Sequence, residues 1–206
     1  MDKKIFGSIC LVLGIAIIVS TGTSFAYFNA STSNEGNISG TTINFDVNLN
    51  LNTIHQSTNM IPLQDTLVAT AISGTNKCVD TKGYEVCSLY KITLTNSGDP
   101  FVLNGYLKTS STTYTTGNLK YQIYDTNYTA ISDVMTPSLT ANEKVYFTKD
   151  SNMVTTSMNH NDTEYYLVMW ITETNTLQNA DYSKNYTGLV GFETLSGDRI
   201  EATFTT

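Results

Sequence analysis

Residues 41–52, TTINFDVNLNLN, alternate apolar and polar side chains. Ile43, Phe45, Val47, Leu49 and Leu51 fall on one side of an extended chain, and Asn44, Asp46, Asn48 and Asn50 on the other. Helical spacing would scatter these apolar residues around the axis, whereas a period of two gathers them on one face, so the stretch predicts a half-buried strand. The same pattern recurs along the chain. Residues 85–96, EVCSLYKITLTN, put Val86, Ser88, Tyr90, Ile92 and Leu94 on one face and end in the turn signal Asn96-Ser97-Gly98-Asp99-Pro100. Residues 101–110 are then the expected partner strand. Residues 119–125 alternate through Leu119, Tyr121 and Ile123, and residues 144–149 carry Val145, Tyr146 and Phe147. Residues 163–173, TEYYLVMWITE, are the most apolar segment and predict a central strand buried on both faces near its middle. Residues 174–187 read as a polar connector. Residues 188–195 and 199–205 predict a hairpin around Ser196-Gly197-Asp198. Between these, Leu63, Leu67, Val68 and Ala71 share one helical face, with Pro62 suited to a first turn and Gly74 to a stop, so residues 61–72 predict a short helix. The result is a mainly β chain, an antiparallel β-sandwich of about eight or nine strands with one short helix, and no internal repeat.

The first residues set the compartment. Lys3 and Lys4 precede an uncharged apolar run over residues 5–19, and Ser24 and Ala26 occupy the −3 and −1 positions of a cut before Tyr27. That is the layout of a secretory signal peptide, residues 1–26, and the run is short of the roughly 20 residues of a comfortable membrane span. An uncleaved N-terminal anchor is the competing reading. Residues 27–40 are polar, small and without periodicity, and read as a flexible arm ahead of a single sandwich domain over residues 41–206. The 11 basic and 18 acidic residues include Lys3, Lys4 and Asp2, so nine and 17 remain after cleavage, a net charge of −8. An acidic surface argues against nucleic acid and against an anionic bilayer. Membrane contact is expected only as a transient tether through the signal peptide. Cys10 lies inside the apolar run and is expected to leave with it.

Cys78 and Cys87 bracket CVDTKGYEVC. An even pair in an exported chain reads as a disulfide, with Gly83 supplying the positive φ of a tight turn so that the cysteines face each other across a hairpin. Two free thiols are the alternative; the spacing fits neither a zinc site nor a C-x-x-C redox pair.

Catalytic signals are sparse. His55 and His160 sit in polar stretches and read as exposed loop residues. No H-E-x-x-H, P-loop or dinucleotide fingerprint occurs. Glu164, Glu173 and Glu193 lie at strand positions from which carboxylates can converge, although solvated strand ends are the plainer reading. Asp125, Asn127, Asp162 and Asp181 offer oxygens for calcium but follow no EF-hand spacing and read as turn residues. Trp170 and most tyrosines suit the sandwich interior, while one of the adjacent Tyr165 and Tyr166 is expected to face outward. Lys91 falls opposite Tyr90 and Ile92; a solvent-facing lysine that blunts edge pairing is preferred over a Lys–Asn isopeptide bond. No enzyme activity, metal or cofactor is expected.

The stretch from Ser20 to Val47 carries a family likeness. Gly22, Thr23, Ala26, Tyr27, Phe28 and Asn29 match one block, and Gly36, Asn37, Ile38, Gly40, Thr41 and Ile43 a second. The segment resembles the signal peptide and mature start of the TasA/camelysin family of Gram-positive bacteria, departing from it at Thr21, Ala30 and Asn44-Phe45. Beyond these residues the likeness is one of general strand pattern. The resemblance implies export through a SipW-type signal peptidase, a jelly-roll-like sandwich, and a secreted structural role at the cell surface or in a biofilm matrix. It further implies self-assembly, with itself or related matrix subunits as partners. Tyr27, Phe28 and Ile38 would then belong to an arm donated as a strand to the next subunit. Two other readings stand beside it. One is a monomeric surface adhesin or carbohydrate-binding sandwich. The other, disfavoured by the absence of a zinc motif, is a hydrolase like the casein-cleaving activity linked with camelysin-type members.

Overall fold

The computed structural model describes residues 45–206. The cleavage residues Ser24, Ala26 and Tyr27, the arm residues Phe28 and Ile38, and Ile43 lie outside the described residues. The strands, in chain order, are β1 (Val47–His55), β2 (Cys87–Asn96), β3 (Phe101–Thr112), β4 (Leu119–Tyr124), β5 (Lys144–Tyr146), β6 (Thr148–Lys149), β7 (Asn152–Met153), β8 (Thr155–Met158), β9 (Thr163–Ile171), β10 (Tyr186–Glu193) and β11 (Arg199–Thr205). They exceed the expected number because residues 144–158 break into four short pieces. A first sheet has the order β1-β2-β9-β4, and a second β11-β10-β3-β5, with β8 also on β3. All these strand pairings are antiparallel. The chain crosses repeatedly between the two sheets of this β-sandwich.

Phe45, Val47, Leu49 and Leu51 are all buried and join the core between the sheets, as a one-sided alternation requires. Opposite them stand Leu103, Leu107, Val190, Phe192, Ile200, Ala202 and Phe204 from the second sheet. β9 is central and buried from Leu167 to Ile171. Leu167, Met169 and Ile171 enter the inter-sheet core, whereas Val168 and Trp170 point outward into a second apolar cluster.

Two adjacent strands do not pair as expected. β2 has β1 on one side and β9 on the other, so β3 has no free edge of β2 to join. The Asn96 side chain accepts from the Gly98 N–H (3.0 Å) and donates to the Asp99 carbonyl (3.0 Å), fixing a corner that carries the chain across to the second sheet. Lys91 therefore lies on an interior strand, not an edge; it faces outward and pairs with Glu164 at 2.7 Å.

Residues 56–86 form a strap over the outer face of the first sheet. The helix expected over 61–72 begins later: a 3-10 turn spans Asp65–Leu67 and helix α1 spans Val68–Ser73. Leu63 is extended instead, bridging Thr172 at the end of β9. Leu67 is consequently exposed, and the buried residues are Val68 and Ile72. The extended backbone of Gly74 ends the helix, with its N–H on the Thr70 carbonyl. Cys78 and Cys87 form a disulfide, with Cα atoms 4.9 Å apart, and Val79 bridges Glu85 in the hairpin between them. Gly83 takes φ 88°, the left-handed value its place in that turn requires. Val86, expected on the inner face of β2, precedes the strand and joins the outer cluster with Leu63, Leu89 and Trp170.

Candidate functional site

The second sheet ends at β11, and the phase of its hydrogen bonds can be read from both ends of the hairpin. Thr194 N–H donates to the Asp198 carbonyl (2.8 Å), and Thr206 N–H to the Tyr186 carbonyl (2.9 Å). Even-numbered residues of β11 thus direct their backbone groups to β10, and Glu201, Thr203 and Thr205 direct theirs away from it. Among the described residues no strand pairs with this outward edge. β1, the edge strand of the first sheet, packs beside β11 across the sandwich. Tyr90 reaches from β2 to donate its hydroxyl to the Thr205 carbonyl at 2.6 Å, and its ring lies against Phe204. Burial pushes the Tyr90 phenol up to about 12, against a smaller opposing effect of its hydrogen bond with Ser88.

The outer face of the second sheet is held by charge and aromatic rings. Glu201, Gly191, Tyr106 and Tyr146 stand side by side on four strands. Lys108 donates to both Glu201 oxygens at 2.7 Å, and Tyr106 donates to the same carboxylate at 2.6 Å. Lys144 binds Glu193 at 2.5 Å and lies 4.2 Å from the Tyr106 ring centre, while Tyr146 also donates to Glu193. Gly191 makes room for this: a Cβ there would sit 2.4 Å from Tyr106 Cζ. Burial opposes charge on Glu201, but the Lys108 and Tyr106 hydrogen bonds together with the positive charges of Lys108 and Arg199 outweigh it and hold the carboxyl below its ordinary range. Tyr106 is fully buried, and burial first, then the Glu201 carboxylate, raises its hydroxyl far above the usual range.

The residues singled out as candidate acids do not converge. Glu164 is bound to Lys91 on the first sheet and Glu193 to Lys144 on the second, and Glu173 follows β9. Asp125 accepts from the N–H groups of Asn127 and Thr129, closing its own turn. Asp181 is buried and accepts from Thr116 and from Asn118 (2.8 Å), which ties the 174–185 connector to the loop before β4. Among the described residues no group of three or more His, Cys, Asp or Glu is placed to hold a metal ion. His55 is not a loop residue: it ends β1, half-buried, with Nε2 3.9 Å from Glu85. His160 is exposed in a turn. Trp170 is fully buried and donates to Asp65 at 2.8 Å, a partner that no local pattern announced. Tyr165 packs toward the inter-sheet core, whereas Tyr166 faces outward and stacks on Tyr128 at 5.1 Å, with Lys77 over the Tyr128 ring.

A cavity of about 510 Å³ opens between α1 and the disulfide-closed turn, lined by Leu63, Leu67, Ala71, Val79 and Val86, with Asp80 and Thr81 in its wall. Nothing in the sequence marks it, because its sides are separated by the turn that residues 74–77 make. Comparison with protein-family models, curated proteins and solved structures finds no match for this chain.

Proposed function

We propose that this chain is a secreted structural subunit of the cell surface or biofilm matrix, similar in role to the TasA/camelysin family and without enzymatic activity. On this reading a SipW-type peptidase cuts before Tyr27, and residues 27–40 add as a strand to the next subunit. The observation that best supports it is the outward edge of β11. It offers a short row of backbone donors and acceptors beside β1, where an added strand would find hydrogen-bond partners along one sheet. Cleavage would act as the assembly switch, because the uncut signal tethers the arm in the membrane.

Size-exclusion chromatography with negative-stain microscopy tests this on two forms, one starting at Tyr27 and one at Thr41. Filaments or ladders are expected from the first only. Equal assembly of the two would remove the arm from the mechanism, and monomers from both would remove self-assembly.

A second reading, a carbohydrate-binding or adhesive sandwich, draws on the uncovered part of the first sheet. There Asn50, whose buried Oδ1 has no hydrogen-bond partner, lies beside Thr93, which is flanked on its other side by Glu164, on the strand that carries Tyr166 and its Tyr128 stack. It expects a monomer whose binding survives loss of the arm.

A further inference from the structure

The cavity between α1 and the disulfide-closed turn has one charged lining residue, Asp80; Leu63, Leu67, Ala71, Val79 and Val86 form its aliphatic surface, and the rest of its wall is neutral. Asp80 has an oxygen to spare. Its Oδ1 accepts from the N–H groups of Lys82 (2.8 Å) and Tyr84 (2.9 Å), and its carboxylate makes no ion pair among the described residues. A site of about 510 Å³ with aliphatic walls and a single fixed anion selects a group that joins an apolar body to one positive charge.

The cut expected before Tyr27 makes such a group. It frees an α-amino group on the aromatic pair Tyr27-Phe28, and an α-amino group of ordinary pKa about 8 is protonated at neutral pH. Before the cut the same nitrogen is a neutral amide joined to Ala26. Position agrees with charge. Tyr90, near the start of β2, donates to the Thr205 carbonyl, so β11 finishes at the end of the sandwich where β2 starts. The cavity lies at that end: Val86 directly precedes β2, and Leu63 bridges Thr172 just past β9. An arm added antiparallel to β11, as the other strands of that sheet pair, brings its N-terminus to this end. β11 is 7 residues long, so pairing along it uses about half of residues 27–40. The other half spans up to about 20 Å when extended, against sheets about 10 Å apart.

We propose that the cavity receives the new N-terminus of the neighbouring copy, with the Tyr27 α-ammonium on the spare oxygen of Asp80 and the Tyr27 and Phe28 rings against Leu67 and Val79. This rests on the reading of cleavage and strand addition above and deepens it: one arm is held at two places, and the second contact multiplies the affinity of the first. Cleavage then does more than release the arm, because it creates the charge that the cavity reads.

The test uses mature protein starting at Tyr27, half of it carrying a heavy-nitrogen label, mixed while dilute and then allowed to assemble. A water-soluble carbodiimide joins an amine to a carboxylate where the two are in contact. Mass spectrometry is expected to find the Tyr27 nitrogen joined to Asp80 in mixed-label pairs. Lys144 and Glu193, 2.5 Å apart within one copy, supply the control, since their product carries a single label. Asp80→Asn keeps the turn-capping oxygen and removes the charge. Thr70→Trp, at an exposed position on the cavity wall, obstructs the cavity and leaves Asp80 in place. Each is expected to abolish the Tyr27–Asp80 product and to speed acylation of the Tyr27 amine at neutral pH several-fold. Assembly in which that amine is as reactive in the parent as in Asp80→Asn would overturn this inference and leave strand addition standing. A product confined to single-label pairs would put the N-terminus in its own copy's cavity and overturn the neighbour's part in it. Monomers throughout, without the product, would remove both.

Discussion

Part of the outer face of the β1-β2-β9-β4 sheet is covered by residues 56–86, which bring Leu63, Val68, Ile72 and Val86 down onto Leu89, Val168 and Trp170. The outer face of the β11-β10-β3-β5 sheet has no such cover among the described residues. It shields Tyr106 with its own Lys108, Lys144, Tyr146 and Glu201. The first solution rests chiefly on apolar burial and a covalent clamp, and responds less to pH and salt. The second rests on ion pairs and hydrogen bonds at partly wet positions, and is sensitive to both. One side of the sandwich is thus made robust by a long insertion, and the other by register alone.

The contrast is most directly broken at Trp170. Trp170→Ala removes the largest buried side chain of the covered face and leaves Asp65 without its indole donor. A loss of about 3–5 kcal/mol is expected in urea unfolding. Replacing Cys78 and Cys87 together by serine should cost about 2–3 kcal/mol, because the unfolded chain is then freed of the loop constraint. Thermal melts with and without reductant check this: the parent should fall to the level of the double variant, which should not respond to reductant.

Glu201→Gln addresses the other face, and a smaller loss, about 1–2 kcal/mol near neutral pH, is expected. Here pH sharpens the comparison. The folded-state pKa of Glu201 is depressed, so its contribution is present above the ordinary carboxylate value and is lost as pH falls through the lower folded value. The difference between parent and Glu201→Gln should therefore close in acid, whereas the Trp170→Ala deficit should persist. Urea midpoints measured at descending pH would show it, and a gap that stays constant would remove Glu201 from the acid response.

How far the sequence reached depended on whether a feature was local. The β1 alternation was legible because one face of that strand is buried and a period of two records it directly. The Cys78–Cys87 clamp was legible because its partners and their Gly83 turn lie within a single short hairpin. The helix was misjudged at its start, because Leu63, although in helical phase with Leu67 and Val68, is used as an extended bridge to Thr172, far along the chain. The β2–β3 hairpin was misjudged for a similar reason: neighbours in sequence compete with β9, which takes the edge of β2 through pairing from Cys87 to Leu94. Lys108 and Glu201, 93 residues apart, carry no mutual signal at all.

By itself, then, the sequence determined the class of fold, the faces of the long strands and the covalent clamp, since each follows from the chemistry of residues close together along the chain. Only the tertiary structure decided which strands became neighbours, which edge stayed open, where the lysine–carboxylate lattice formed and that a cavity opened beneath the strap. These depend on strand register and on competition between distant partners, and a period of two in one segment says nothing about which other segment it will meet.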